Sequence, residues 1–164
     1  VTKRVGEIAL ENWTFNIPPG EKNHRVTATY TLPTEAIFLS AAPHMHLLGK
    51  EMKVRAVLPG GVVRPLIWVR RWSFSWKDAY VYREPVRLPS GTRIEMEAFF
   101  DNSMENSLQP NSPPIYVRHG DYPTAEVAMC TFAVTCENPA DLFNLLADDA
   151  RMRQLVVRVG KMKH

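Results

Sequence analysis

Apolar and polar residues alternate in many short stretches of the chain, which is the pattern of antiparallel strands with one buried face. In residues 26–32, four apolar side chains alternate with three threonines, and Pro33 follows. Residues 126–136 alternate in the same way, with Cys130 and Phe132 on the apolar face. Residues 1–10 carry only a weak pattern. Further strands are predicted over 13–17, 36–48, 52–58, 62–71, 72–77, 80–87, 92–102, 115–118 and 155–159.

The strand predicted over 36–48 has two unequal faces. One face is apolar and is predicted to lie in the core: it holds Ile37, Leu39, Ala41, Met45 and Leu47. The other face changes from apolar to polar along the strand: it holds Phe38, Ser40, Ala42, His44 and His46. Because Pro43 cannot donate to a sheet, the two histidines are expected near an edge, a bulge or the strand end.

One short helix is predicted near the end of the chain, over 139–150. Asn138 is a suitable N-cap, Pro139 suits the first helical position, and Asp141 complements the positive end of the helix dipole. Apolar residues then recur at helical spacing: Leu142, Leu145, Leu146 and Ala150. The sequence does not indicate whether this helix covers the strands or contacts a partner.

Turn signals separate the predicted strands at fairly regular intervals, and the 13 prolines stand in short groups. Many short strands with such spacing predict an all-β protein, an antiparallel β-sandwich of jelly-roll type with one short C-terminal helix. At 164 residues, the chain is expected to form one domain, residues 1–164.

Composition and charge exclude some classes of function. The apolar share of 45% is that of a chain with a hydrophobic core. The 20 basic and 17 acidic residues are scattered, so no nucleic-acid-binding surface is indicated. No apolar run approaches the ~20 residues of a membrane span. The chain has no signal peptide and begins at Val1, so we expect a processed chain or a piece of a longer one.

The two cysteines are predicted to be buried free thiols. Cys130 and Cys136 lie six residues apart in one predicted strand. An extended segment of that length separates the two Cα atoms by roughly 20 Å, which is too far for a disulfide.

The clearest candidate for chemistry is the H-x-H pair of His44 and His46. In an extended strand, side chains two apart project from the same face, and their Cα atoms lie roughly 7 Å apart. Two imidazoles at that spacing can bind one metal ion. The alternative is that both are ordinary surface or core histidines.

A third ligand would have to come from elsewhere in the chain. The candidates are His24, His119, Cys130, His164 and the methionines. Met129 is a large apolar residue on the mixed face of its predicted strand, beside Thr131 and Ala133, whereas Cys130 is on the apolar face. Two imidazoles and a thioether form a soft ligand set that suits copper, especially Cu(I). The alternative for Met129 is core filling.

The H-x-H block is one of several short segments that follow one another in a characteristic order. They are Ile17-Pro18-Pro19-Gly20, Val26–Pro33, Pro43-His44-Met45-His46-Leu47-Leu48-Gly49-Lys50, Phe74-Ser75-Trp76, Leu88-Pro89-Ser90-Gly91-Thr92, Phe100-Asp101-Asn102-Ser103 with Asn106, and Pro113-Pro114 leading to Gly120. In this order they resemble the C-terminal domain of copper type II ascorbate-dependent monooxygenases, in particular its bacterial versions. This family includes peptidylglycine α-hydroxylating monooxygenase and dopamine β-monooxygenase. The resemblance covers roughly residues 10–136.

The resemblance implies a jelly-roll-like sandwich that binds the copper at which oxygen is activated. It implies that His44, His46 and Met129 are the copper ligands, with Cys130 following the methionine as in the family. The expected activity is hydroxylation of a substrate C–H bond with O₂, with ascorbate as a possible external reductant. By the same resemblance, an extracytoplasmic location, periplasmic or secreted, is expected.

The chain departs from the family at several positions. Ala42 stands where the peptide-acting members have an arginine, and Thr131 and Ala133 stand where they have asparagine and tyrosine. These replacements argue against a glycine-extended peptide as the substrate. Ala98 lies near the place of the family's partner cysteine, and Ala125-Glu126-Val127-Ala128 matches the run before the methionine poorly.

The chain also lacks the family's second copper domain and a second histidine cluster, so a second copper-bearing domain or subunit is the expected partner. Two alternatives stay open on the sequence. One is a non-catalytic copper-binding or accessory module on the same fold, and the other is a structural β-sandwich without metal.

Overall fold

Two four-stranded antiparallel sheets form the body of the protein in the computed structural model, which describes residues 4–162. A two-stranded ribbon and a C-terminal helix accompany them. The elements are β1 (Gly6–Asn12), β2 (Asn16–Ile17), β3 (His24–Thr31), β4 (Ala36–His44), β5 (Gly49–Val57), β6 (Val63–Val69), β7 (Tyr80–Leu88), β8 (Arg93–Phe100), β9 (Val117–Arg118), β10 (Ala128–Thr135) and α1 (Pro139–Met162).

The order of the strands is that of a jelly-roll sandwich, which confirms the predicted fold class. One sheet has the order β1-β10-β4-β7 and the other has the order β3-β8-β5-β6, while β2 pairs with β9. After β3 the chain crosses to the β1-β10-β4-β7 sheet at β4 and returns to the β3-β8-β5-β6 sheet at β5. It crosses again at β7, returns at β8 and crosses once more at β10. Such crossings arise when two sheets are built from interleaved Greek keys.

The core lies between the inner faces of the two sheets. In the first sheet, Phe38 and Phe132 meet edge to face with ring centroids 5.2 Å apart. From the second sheet, Phe100 stacks on Phe15 at 5.8 Å. Both groups belong to one continuous cluster of buried residues. Burial of this apolar surface is the main favourable term for folding.

Strict alternation predicted two strands well. In β3, Val26 and Tyr30 are buried, and Thr27 and Thr31 are exposed. In β10, Cys130 and Phe132 are buried as predicted. The two cysteines are both free and buried, which confirms the prediction made from their spacing.

The faces predicted for 36–48 are wrong at Phe38 and Leu39, and again after the strand ends, where His46 is buried and Leu47 is only partly buried. The ladder of β4 shifts register between Phe38 and Ser40 against β7, and its partner β10 shifts between Ala133 and Val134. As a result, Phe38 and Ala41 are both fully buried, and Leu39 is only partly buried. A bulge adds one residue to a strand, which reverses the inward and outward positions on either side of it.

Two segments predicted as strands have other structures. Residues 72–77 form a loop containing a turn, in which the N–H of Trp76 donates to the carbonyl of Ser73 at 3.0 Å. Their alternating aromatics therefore do not lie on one face of a sheet. Residues 155–159 continue α1, which has 24 residues and is not short. No proline interrupts the sequence after Pro139, so the helix extends to Met162.

The first strand was not predicted, because its pattern is weak. Nevertheless β1 pairs with β10 along its whole length, from Gly6 opposite Val134 to Asn12 opposite Ala128. The strand predicted over 13–17 is reduced to Asn16–Ile17. Residues 6–12 form a strand because they pair with β10, although their own sequence pattern is weak. Tertiary context thus outweighs local propensity in this strand.

Helix α1 lies against β1, the edge strand of the first sheet. Asn138 caps it as predicted, with Oδ1 accepting from the N–H of Ala140 at 2.9 Å. Leu142 and Leu145 are buried. The N–H of Ala9 in β1 donates to Oδ1 of Asp149 at 3.1 Å. The helix thus supplies a partner for a group on an otherwise open sheet edge. Within residues 4–162, no helix is long and apolar enough to cross a membrane.

Candidate metal centre

Met129 and His44 are direct cross-strand neighbours. Met129 in β10 stands opposite His44 in β4, and the next pair, Cys130 with Pro43, is buried on the inner face. Directly opposite residues in an antiparallel pair have Cβ atoms about 5 Å apart. His44 and Met129 both line a shallow groove on the outer face of the sheet. Pairing of β4 with β10 therefore brings together two of the three predicted ligands.

His46 lies just beyond the end of β4, beside His44. The two imidazole rings have centroids 5.3 Å apart and are nearly perpendicular, at 85°. The strand ends at His44, and a tight turn then leads into β5, in which the N–H of Gly49 donates to the carbonyl of His46. The prediction that His44 and His46 lie close together is confirmed, although His46 is in a turn and not in the strand.

A backbone carbonyl fixes the orientation of the His46 ring. Nδ1 of His46 lies 3.0 Å from the carbonyl oxygen of Ala125. Because a carbonyl can only accept, Nδ1 carries a proton, and in the neutral imidazole Nε2 then has the lone pair. Histidines that bind metals are held in this way, with one ring nitrogen donating to an outer partner. Nε2 is therefore the atom of His46 that could bind a metal.

A buried carboxylate holds the turn that carries His46. The N–H of His46 donates to Oε2 of Glu126 at 2.7 Å, and the N–H of Leu48 donates to Oε1 at 2.6 Å. Glu126 is fully buried, with 0% exposure. Burial raises the pKa of Glu126 to about 7, and the N–H donors, which include Val127, oppose this rise by favouring the ionised form.

The aromatic loop over 72–77 covers His46. Nε1 of Trp72 donates to the carbonyl of His46 at 3.1 Å, and the ring of Phe74 meets the imidazole edge to face at 5.9 Å. Nζ of Lys77 lies 3.8 Å from the centre of the Phe74 ring. A Cβ atom on Gly49 would lie only 2.7 Å from Trp72, so glycine is required for this approach. His46 is consequently only 5% exposed.

The surroundings of His44 favour its neutral form. Burial lowers the pKa of His44, and the neighbouring His46 and Lys77 lower it further, against the opposing effect of Glu11. A neutral imidazole has the free lone pair that a metal ligand needs. Lys77 lines the same groove as His44 and Met129, together with Ala42 and Thr131.

The other histidine and cysteine candidates have different partners. Nε2 of His119 pairs with Glu11 at 3.0 Å and its ring stacks on Trp13 at 3.9 Å. Nδ1 of His24 pairs with Glu21 at 3.0 Å. Cys130 is buried on the inner face of the sheet. His164 lies outside the described residues.

Among residues 4–162, no carboxylate or thiolate completes the histidine pair. No three side chains of His, Cys, Asp or Glu in this range are grouped so that they could hold a metal ion. Glu11 stands opposite Met129 in β1, on the side away from His44, and is paired with His119. The candidate ligands at this place are two imidazoles and a thioether.

Sequence reasoning identified the three candidate ligands but missed the role of Glu126. Glu126 lies 80 residues from His46 along the chain, so no local pattern relates the two. One signal was available, because a single acidic residue stands within the apolar run Ala125-Glu126-Val127-Ala128. Carboxylates are almost never buried without partners, so such a residue in a predicted core strand indicates a specific role.

Comparisons with known proteins give weak likenesses only. No sequence model of a protein family matches the chain, and no curated protein matches it in sequence. A structure of infectious bursal disease virus Gx strain matches with a TM-score of 0.37 and 13% identity, over 87% of this chain and 43% of that chain. For the Gt strain the TM-score is 0.34, with 12% identity, over 81% and 39%. The chain spans less than half the length of these viral chains.

Proposed function

We propose that this protein binds a single copper ion through His44, His46 and Met129. The observation that carries the proposal is the direct opposition of Met129 and His44 in paired strands, with the ring of His46 5.3 Å from that of His44. The tautomer of His46 adds support, because its Nε2 is left free by the bond from Nδ1 to Ala125. A thioether is a weak, soft ligand, so the set favours Cu(I) over Cu(II) and over zinc.

We further propose that the site serves as the oxygen-activating half of an ascorbate-dependent copper monooxygenase. Copper bound there would supply a redox-active centre for hydroxylating a substrate C–H bond with O₂. One oxygen atom would enter the substrate and the other would leave as water, with electrons from ascorbate. The chain's own groove, lined by His44, Met129 and Lys77, would receive the organic substrate. A second copper-bearing domain or subunit and an extracytoplasmic location belong to the same proposal.

The second candidate function is a non-catalytic copper-binding or accessory module. Two residues that line the groove favour this second function. Ala42 and Thr131 have shorter side chains than the arginine and asparagine that the peptide-acting members of the family have at these positions. Ascorbate-dependent O₂ uptake coupled to a hydroxylated product would separate the two functions. Copper binding without such turnover, in the presence of the second copper component, would favour the accessory module.

Copper titration tests the proposed site directly. The wild-type chain should bind one Cu(I) ion in competition with a chromogenic chelator. His44→Ala and His46→Ala should each lower the affinity by more than the ~10–100-fold that loss of an outer partner costs. Met129→Leu keeps the volume of the side chain and should weaken Cu(I) binding more than Cu(II) binding, because only the soft sulfur is lost.

His24→Ala is the matched control, because His24 pairs with Glu21 at the start of β3, in the other sheet. It should bind copper like the wild type, and circular dichroism should show that all variants are folded. Absence of saturable copper binding by the wild type, or equal affinity of the wild type and all three site variants, would refute the proposed site.

A further inference from the structure

We infer that Glu126 is a positioning residue of the metal centre, which sets the place and orientation of His46 through the backbone. This inference rests on the proposed copper site and goes beyond it, because Glu126 is not a ligand and does not reach the groove. Its two carboxylate oxygens divide their bonds between two amides of one turn, those of His46 and Leu48. The carboxylate therefore holds the turn at two points, on either side of Leu47.

The need for such a residue follows from where β4 ends. His44 is the last residue of β4 and is paired with Met129, so the sheet itself fixes its position. His46 lies beyond the ladder, where no strand accepts its N–H. His46 and Leu48 are also buried, so water does not replace a missing acceptor at their amides. Both amides depend on Glu126, whose two side-chain oxygens accept their hydrogen bonds at 2.7 and 2.6 Å.

A single short segment serves three parts of the site. The carbonyl of Ala125 fixes the ring of His46, the carboxylate of Glu126 fixes the backbone of His46, and Met129 follows three residues later as the third candidate ligand. A bridge between His119 and Glu126 anchors this segment just before β10. The relative placement of His46 and Met129 is thus determined within residues 125–129 and the turn that they contact.

Glu126→Gln tests the inference with little change in shape. An amide has one acceptor oxygen in place of two, so one of the two turn N–H groups must face an NH₂ group. We expect Cu(I) affinity to fall by about 10–100-fold, the usual effect of losing an outer partner of a metal ligand. We also expect the Cu(II) EPR spectrum to change from one species to a mixture, since His46 would no longer be held in one orientation.

Two controls separate positioning from general loss of stability. Glu95→Gln removes a carboxylate paired with Arg55 and Arg93 on the other sheet and should leave copper binding unchanged. Leu145→Ala lowers stability in the helix, away from the site. At a temperature where Leu145→Ala and Glu126→Gln are both folded, Leu145→Ala should keep the wild-type EPR spectrum and affinity.

Glu126→Asp provides a second test if the glutamine variant does not fold. Aspartate keeps the charge but is one methylene shorter, so it cannot reach both amides, and it should also weaken copper binding and alter the EPR spectrum. Wild-type affinity and spectrum in the folded Glu126 variants would overturn the inference and leave the copper site intact. Failure of the wild type to bind copper would overturn the proposed function itself.

Discussion

Single buried carboxylates hold distant parts of this chain together. Glu126 joins the segment before β10 to the turn after β4, and Asp149 joins α1 to the edge of β1. Asp149 is only 1% exposed; its Oδ1 accepts from Ala9, and its Oδ2 forms an ion pair with Nε of Arg153 at 2.9 Å, outside hydrogen-bonding geometry. A buried carboxylate with such partners orients the elements it joins, because an unmet hydrogen bond there is costly. At the residue scale, the polar contacts thus decide orientation, and the apolar contacts supply most of the stability.

The free energy of unfolding should depend on pH because Asp149 titrates differently in the folded and unfolded states. Burial raises its pKa, and Ala9 and Arg153 oppose this rise. A carboxyl whose pKa is higher in the folded state binds protons more readily there. Its contribution to the free energy of unfolding is therefore fully present below the unfolded pKa of about 3.9, and decreases as pH rises through the folded pKa.

Asp149→Asn removes this titration. The free energy of unfolding of the wild type minus that of the variant, from urea denaturation, should decrease from about pH 4 to the folded pKa and then stay constant. Phe143→Ala, an exposed replacement without a titratable group, should give a difference that does not vary with pH. A difference for Asp149→Asn that is independent of pH, or rises with pH, would contradict this assignment.

At the scale of elements, α1 is fixed to the sandwich at both ends. Leu142 and Leu145 are buried near its start, and Gly160 lies against Trp13 near its end. Trp13 in turn stacks on His119, which pairs with Glu11, the β1 neighbour of Met129. The C-terminal part of the helix is therefore joined by direct contacts to the outer flank of the candidate metal centre.

Replacement of the helical glycine tests this contact. A Cβ atom at position 160 would lie 2.9 Å from both Cβ and the carbonyl oxygen of Trp13. Alanine is favoured over glycine in a helix by about 1 kcal/mol. The clash with backbone should outweigh this gain, so Gly160→Ala should lower the free energy of unfolding by about 1–2 kcal/mol, as overpacking does. Tryptophan fluorescence should change as well.

Gly60→Ala is the matched control, because a Cβ atom there meets nothing within 4 Å. Its free energy of unfolding should change by less than about 0.5 kcal/mol. An increase in the stability of Gly160→Ala, as helix propensity alone would give, would show that the end of α1 does not pack on Trp13.

At the scale of the whole molecule, one core joins the two sheets. Phe132 is buried in β10, a central strand, and packs on Phe38 of β4. The same buried cluster continues through Phe100 of the second sheet to Leu145 of α1. The candidate metal centre lies on the other side of these two central strands, so its position depends on the folding of the entire sandwich.

Loss of the central aromatic should therefore destabilise the molecule as one unit. Phe132→Ala should lower the free energy of unfolding by about 3–5 kcal/mol through lost burial and the remaining cavity. Phe143→Ala, on the exposed side of α1, should have little effect. Denaturation curves from fluorescence and circular dichroism should coincide for both variants. Separate transitions would contradict a single cooperative core.

Properties that depend on near neighbours in the chain could be predicted from the amino-acid sequence. The alternation in β3 and β10 and the cap of α1 at Asn138 follow from side-chain period and local hydrogen bonding, and the structure contains both. His44 and His46 are close, as predicted, but a turn after β4 places His46 and the strand period does not. The choice of Met129 as third ligand used the same period, and β-strand pairing placed it opposite His44.

Features that depend on partners distant in the chain could not be predicted in this way, because they arise from packing between segments. Because of the bulge in β4, Phe38 faces the core where Leu39 was predicted to do so. The aromatic residues at 72–77 form a loop that packs on His46, not a strand. Glu126 accepts hydrogen bonds from the amides of His46 and Leu48, which are about 80 residues away in the chain. Local patterns record how a segment could expose or bury its faces. The segments that pack against a given segment decide which of its faces is buried and which carboxylate accepts hydrogen bonds from its backbone.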